Sequence, residues 1–249
     1  MSSSLYFLSV IANLQGVLYN ISCEMSSTRM KECVKFMRLR NKKNAHEMVE
    51  KSDYIINEPK SNKGKWNEIF GNNNEIHIEI GMGKGQFIIQ MAMNNPNINY
   101  IGIEMYDSVI VTAVNTLSER EETINNLKLI RMDATEIEEV FEKEISRIYV
   151  NFSDPWPKAK HAKRRLTSEE FLARYDNIFI NEKVIFQKTD NDDLFEFSME
   201  SLKNHGYELK NLTRDLYSNM IENNVATEYE KKFSEKGIKI NRLEAYKFN

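Results

Sequence analysis

The residues Asp154-Pro155-Trp156-Pro157 set a carboxylate and an indole on a stretch of chain with little freedom. Each proline fixes φ and removes a backbone donor, so the loop presents its Asp and Trp in set directions. An indole face beside an acceptor-only carboxylate suits a purine, stacked on the ring and hydrogen-bonded along its N–H edge. A plainer reading is a rigid turn with Trp156 packed as core. Directly after come Lys158, Lys160, His161, Lys163, Arg164 and Arg165, the densest positive cluster in a chain of formal net charge -3. Charge runs are usually solvated faces; next to a purine platform this one reads as a patch for phosphates.

A second group lies upstream. Glu79-Ile80-Gly81-Met82-Gly83-Lys84-Gly85 follows an apolar run and opens a helical one. Glycines there allow a tight turn and the close approach of a ligand to the backbone. The spacing is GxGxG, shorter than the GxGxxG of dinucleotide binders. Glu104 stands about twenty residues further on, where an acid accepts hydrogen bonds from ribose hydroxyls. Asp133-Ala134 ends the next apolar run; Asp133 reads either as an acceptor for an adenine amino group or as a helix N-cap.

Those groups need strand ends to hold them. Strand patterns run over 76–81, 100–104, 127–132, 147–153, 183–188, 207–213 and 239–246, and helical patterns over 85–94, 107–118, 137–141, 167–180 and 192–204. The alternation predicts an α/β fold: a doubly wound, seven-stranded, mostly parallel sheet with helices on both faces and an antiparallel last strand. In such sheets ligands sit beyond the carboxyl ends of the strands, where the motifs fall. Residues 1–36 read as an N-terminal extension, 37–74 as a basic arm and 75–249 as the catalytic-type domain.

With 34 Lys+Arg against 37 Asp+Glu, bulk charge does not draw this chain to nucleic acid, so any such site is a local patch. Cys23 and Cys33 match no metal-ligand or disulfide framework and read as free thiols of a cytoplasmic protein. The apolar run from Leu5 to Ile21 is broken by Asn13, Gln15 and Asn20, and reads as neither signal peptide nor membrane anchor.

Taken together, the stretch 76–87, Tyr100-Ile-Gly-Ile-Glu104, Asn151-Phe-Ser-Asp-Pro-Trp-Pro157, Lys163-Arg-Arg-Leu166, Lys188-Thr-Asp-Asn191 and Thr227-Glu-Tyr-Glu230 resemble the bacterial tRNA (guanine-N7)-methyltransferase family, from about Met37 to Lys247. The resemblance implies a Rossmann-like class I methyltransferase that uses S-adenosyl-L-methionine, without a metal, to methylate a variable-loop guanosine, position 46, of tRNA. It implies a cofactor side formed by Glu79, Gly81, Gly83, Gly85, Glu104, Asp133, Ala134 and Asp154, with Asp154 also the catalytic residue. Lys158, Asp190, Thr227, Glu228, Tyr229 and Glu230 then bind substrate, and Lys160, His161, Lys163, Arg164 and Arg165 face the RNA. It implies no membrane and no obligate protein partner, and a monomer or homodimer. In one departure, the turn before the fifth strand reads Asn181-Glu182 without the family's glycines; Asn tolerates the left-handed conformation, so the turn is expected to form.

Guanine N7 carries a lone pair and no proton, so no general base is required and His161 need not be one. Asp154 is expected to act by position and charge. Three readings compete: a methyltransferase for another RNA base, an NAD-dependent oxidoreductase and a non-catalytic RNA-binding module. The GxGxG spacing weighs against the second, and the intact strand-end acids against the third.

Overall fold

The computed structural model describes residues 44–218 and 224–248. The expectations for the extension, the cysteines and the most basic part of the arm fall outside these residues. Strands β1 (Ile76–Ile80), β2 (Asn99–Glu104), β3 (Leu127–Arg131), β4 (Ile145–Asn151), β5 (Lys183–Thr189), β6 (Glu208–Thr213) and β7 (Asn241–Lys247) form one sheet in the order β3-β2-β1-β4-β5-β7-β6. The neighbours from β3 across to β5 pair in parallel, and β7 runs antiparallel to both β5 and β6. Chain order reverses between β1 and β4, so a crevice opens beyond their carboxyl ends. All of β1 is buried, as a central parallel strand covered on both faces must be.

Helices α1 (Ala45–Glu50), α2 (Trp66–Phe70), α3 (Gln86–Asn94), α4 (Asp107–Ser118), α5 (Ile137–Val140), α6 (Glu169–Asp176), α7 (Asp192–Asn204) and α8 (Glu228–Ser234) surround the sheet. One core layer gathers Phe87, Ile88, Ile110, Val114 and Leu117 of α3 and α4 against β2 and β3. The opposite layer gathers Phe171, Leu172, Tyr175, Phe195 and Leu202 of α6 and α7 with Trp66 and Phe141.

Within the segment expected as a basic arm, residues 44–74 pack onto this domain. Ala45 and Val49 join the layer around α4. Tyr54 and Ile56 exchange backbone hydrogen bonds with Leu129 at 2.8 and 3.0 Å, extending the β3 edge of the sheet. Trp66 is fully buried and its indole N–H donates to the Val140 carbonyl at 3.0 Å. The α6 pattern was expected to run to Ile180. The helix stops at Asp176, because Phe179 and Ile180 turn back to pair beside Ile145 in β4. The Asn181-Glu182 turn forms with neither residue at positive φ.

Candidate active site at the strand ends

The loop after β1 is held by its neighbour strand. Gly81 and Met82 both donate their N–H to the Ile103 carbonyl, each at 2.9 Å. Gly81, Gly83 and Gly85 have φ of 75, 59 and 78°, a left-handed run that side chains resist. A Cβ on Gly81 or Gly83 would meet no atom within 4 Å, whereas one on Gly85 would lie 2.8 Å from the Ala113 Cβ. Gly85 is therefore needed for packing on α4, and Gly81 and Gly83 leave bare backbone facing open space.

Glu104 joins this turn to β2. Its Oε2 accepts from the Gly83 N–H at 3.1 Å, and its Oε1 accepts from Met105 and Tyr106 at 2.9 and 3.1 Å. Burial raises its pKa; the three backbone donors oppose the shift and the Asp154 carboxylate adds to it. Glu79 is buried, its Oε1 accepting from the Asn151 amide at 2.9 Å. Its Oε2 has no hydrogen-bond partner. Burial pushes the Glu79 carboxyl up to about 8, against the pull of Asn151, of Lys188 and of an Ile88 amide that lies near without hydrogen-bond geometry. A buried carboxyl oxygen without a hydrogen-bond partner, beside bare glycine backbone, is a fitting receptor for a polar group of a ligand.

Asp133 is a cap in this structure: its Oδ1 accepts from both the N–H and the hydroxyl of Thr135, each at 2.8 Å. It opens a 3₁₀ turn over Ala134–Glu136 and remains exposed, with its second oxygen outside that cap. It lines a cleft of about 410 Å³ together with Met105, Met132, Glu136 and the turn from Asn57 to Ser61. Met105 is largely exposed there. Neither Met105 nor the Asn57–Ser61 turn was signalled by the sequence, since an exposed Met and a polar turn carry no periodic pattern.

On the other side of the crevice, the chain leaves β4 through two residues in the left-handed region, Phe152 at φ 50° and Trp156 at φ 42°. Such a conformation costs a non-glycine residue of order 1–3 kcal/mol and persists only where its surroundings impose it. Here the Phe152 N–H donates to the Lys188 carbonyl at 2.8 Å. Asp154 between them is exposed. Trp156 is half-buried rather than core, with the Arg164 guanidinium 4.9 Å from its ring centre and the His161 ring 5.8 Å away.

The basic run winds into a 3₁₀ turn over Ala159–Arg164. Lys158, Lys160, Lys163 and Arg164 are exposed, and Lys163 pairs with Glu170 at 3.0 Å. His161 has its pKa lowered by partial desolvation and by the surrounding Arg164, Lys160 and Lys158. Arg165 departs from the expected pattern. Its Nε donates to the Pro155 carbonyl at 3.0 Å and its Nη2 to the Trp156 carbonyl at 3.1 Å, so the side chain turns in toward the loop.

Asp190, half-buried, follows β5 directly, and Asn191 next to it caps α7 by accepting from the Leu194 N–H at 2.8 Å. The 227–230 segment forms a capping box at the start of α8, in which the Glu230 N–H donates to Thr227 Oγ1 at 2.9 Å. Glu230 was expected among substrate-binding residues, yet it is fully buried and turned inward. Its Oε2 pairs with Lys188 Nζ at 2.8 Å, and its Oε1 accepts from Asn224 at 2.6 Å and Tyr217 at 3.3 Å. Lys188 also donates to Asn224 Oδ1 and the Val225 carbonyl at 2.6 and 2.9 Å. Burial lowers the Lys188 pKa while Glu230 opposes it.

Two other links fasten α8 over the crevice: Lys84 in the glycine turn pairs with Glu228 at 2.5 Å, and Tyr229 stacks on Phe152 with centroids 6.1 Å apart. Lys188 and Phe152 lie in motifs that carry the resemblance, and neither was given a role there. A lysine inside an apolar strand is the one signal that would have found the first. Among the described residues no cluster of His, Cys, Asp or Glu could hold a metal, and no helix is long and apolar enough to cross a membrane.

Residues 73–243 match a family model described as "Putative methyltransferase". The chain is 53% identical over 213 residues to a tRNA (guanine-N(7)-)-methyltransferase of Lachnoclostridium phytofermentans, covering 85% of this chain and 99% of that one. It is 49% identical over 210 residues to the Bacillus subtilis protein of the same name, covering 84% and 98%. Among solved structures, an antibiotic-related methyltransferase superposes with a TM-score of 0.56 at 18% identity, over 75% of this chain and 94% of that one. The 16S rRNA methyltransferase KamB gives 0.53 at 11% identity, over 74% and 92%. At those identities the likeness is one of fold.

Proposed function

The chain belongs to the tRNA (guanine-N(7)-)-methyltransferase family, and we propose that it methylates N7 of a tRNA guanosine, at position 46 of the variable loop, with S-adenosyl-L-methionine as donor. The observation that carries this reading is the joining of two half-sites at one crevice. The glycine turn after β1 is tied to Glu104 at the end of β2, and the braced loop after β4 bears Asp154 beside exposed cations at the same end of the sheet.

S-adenosyl-L-methionine, when bound, supplies an electrophilic methyl group on a sulfonium. The chain's own residues bind and orient. Bare backbone at Gly81 and Gly83, Glu104 and the unpaired oxygen of Glu79 suit the ribose and amino-acid parts of the donor, and Asp133 and Met105, which line one cleft, its base, with Ala134 packed beside them on the core. Guanine N7 has no proton to lose, so no residue acts as a base. Asp154 accepts from the guanine N1–H and amino group, and its charge stabilises the positive charge that the purine ring gains. An acceptor-only carboxylate prefers that edge over adenine, whose N1 is itself an acceptor. Asp190 stands on the neighbouring strand end as the second acceptor. Trp156 and Tyr229 offer partly exposed aromatic faces for a base turned out of the tRNA stack. Lys158, Lys160, Lys163 and Arg164 contact phosphates, and α8, fastened by Lys188 and Glu230, carries Thr227 to Tyr229 to the substrate.

Incubation with unmodified tRNA and labelled methyl donor, followed by nucleoside analysis and mapping, tests this reading. The expected product is 7-methylguanosine in the variable loop. Label in another nucleoside, or 7-methylguanosine only elsewhere in the tRNA, would reject it.

A further inference from the structure

We infer that Arg165 is a positioning residue that sets the direction of Asp154, and that it is not part of the phosphate-binding patch. The guanidinium grips two successive carbonyls of the Asp-Pro-Trp-Pro loop, Pro155 at 3.0 Å and Trp156 at 3.1 Å. The second carbonyl belongs to a residue held at φ 42°, a conformation that relaxes unless something fixes it. Pro155 and Pro157 stiffen the loop, but a proline ring fixes only its own φ and leaves the tilt of the loop to other contacts. Arg165 supplies that tie. Its guanidinium lies 4.2 Å from the ring centre of Phe197 in α7, the helix that begins two residues after Asp190. One planar fork thus fixes the loop bearing Asp154 against the element following Asp190. A lysine cannot do the same, since a single ammonium does not present two parallel donors while stacking on a ring. Charge in the run 158–165 therefore divides by direction: Lys158, Lys160, Lys163 and Arg164 are exposed, and Arg165 is turned to the loop.

The kinetic part of the test rests on the proposed methyl transfer; the spectroscopic part does not. The chain has only two tryptophans, and Trp66 is fully buried, so acrylamide quenching of the full-length protein reports Trp156. With Arg165→Lys, quenching without RNA is expected to rise. kcat for tRNA methylation is expected to fall on the order of 10²-fold, as displacement of a reacting group by about an ångström does. The tRNA KM and its salt dependence should stay near those of the unaltered enzyme. Phe197→Leu should move the same readouts in the same direction by less, and Arg165→Lys, which keeps the charge, carries the test if Arg165→Ala does not fold. Unchanged quenching in Arg165→Lys with kcat retained would make Arg165 a phosphate contact and overturn the inference, since a lysine there still offers its charge to a phosphate. Failure of the unaltered enzyme to methylate tRNA would instead defeat the proposed function and leave the quenching result to decide the loop.

Discussion

The two sides of the crevice are built on different principles. The glycine side is made of backbone: amides of Gly81 and Met82 on one carbonyl of β2, and a carboxylate, Glu104, gathering three further amides. The base side is made of long charged side chains turned inward, Arg165 on loop carbonyls and Lys188 on Glu230. Backbone cradles follow from strand ends and local motifs. A braced loop depends on side chains outside the loop itself, Arg165 among them, so its geometry is decided by direction rather than by residue type.

That contrast can be broken first at the Lys188–Glu230 pair. Lys188→Met leaves a buried carboxylate uncompensated and should destabilise the fold by about 3–5 kcal/mol, read as a fall in denaturant midpoint. Pairing it with Glu230→Gln should restore much of that loss. A single-variant effect below about 1 kcal/mol would mean that α8 is not fastened through this pair.

Next comes Asp154→Asn, which keeps shape and removes charge. Loss of a preorganised charge that acts in the transition state lowers kcat by roughly 10²–10³-fold, with little effect on tRNA KM. A loss confined to KM would make Asp154 a binding group alone.

The glycine side is sharpened by pH. Glu79 has a folded pKa of about 8 against an ordinary 4.5. Below pH 4.5 it is protonated in both states and contributes no slope. As pH rises from there to about 8, unfolding releases a proton, and stability falls by up to about 1.4 kcal/mol per pH unit. Above the folded pKa the slope from this group ends. Glu79→Gln should lack that slope in equilibrium unfolding measured across the window. An unchanged slope would show that Glu79 is ionised when buried.

The smallest effect is expected on the exposed cations. Lys160→Ala should raise the tRNA KM modestly and reduce the slope of log affinity against log salt by about 1. A loss of kcat with an unaltered salt slope would move Lys160 from phosphate contact to loop support.

Much of this architecture could be read from the chain because its strands are short apolar runs and its longest helices carry clear periods. The helical patterns over 107–118 and 192–204 coincide with α4 and α7. The short helices α1 and α2 were missed, as both lie in the stretch read as a basic arm. Acids at successive strand ends could be located from the alternation alone. Their partners could not. Arg165 and Glu230 both read as ligand-facing, and both turn into the protein to meet atoms that only the folded chain supplies: loop carbonyls for one, a lysine 42 residues away for the other. Asp133 shows the converse. Its cap engages one oxygen and leaves the side chain exposed, with the second oxygen outside the cap.

The most direct test of the central claim is single-turnover methylation of unmodified tRNA by the unaltered enzyme and by Asp154→Asn, with the methylated atom mapped in both. The expected result is 7-methylguanosine at the same variable-loop position in each, formed about 10²–10³-fold more slowly by the variant. Equal rates, or a methyl group on any atom other than guanine N7, would contradict it.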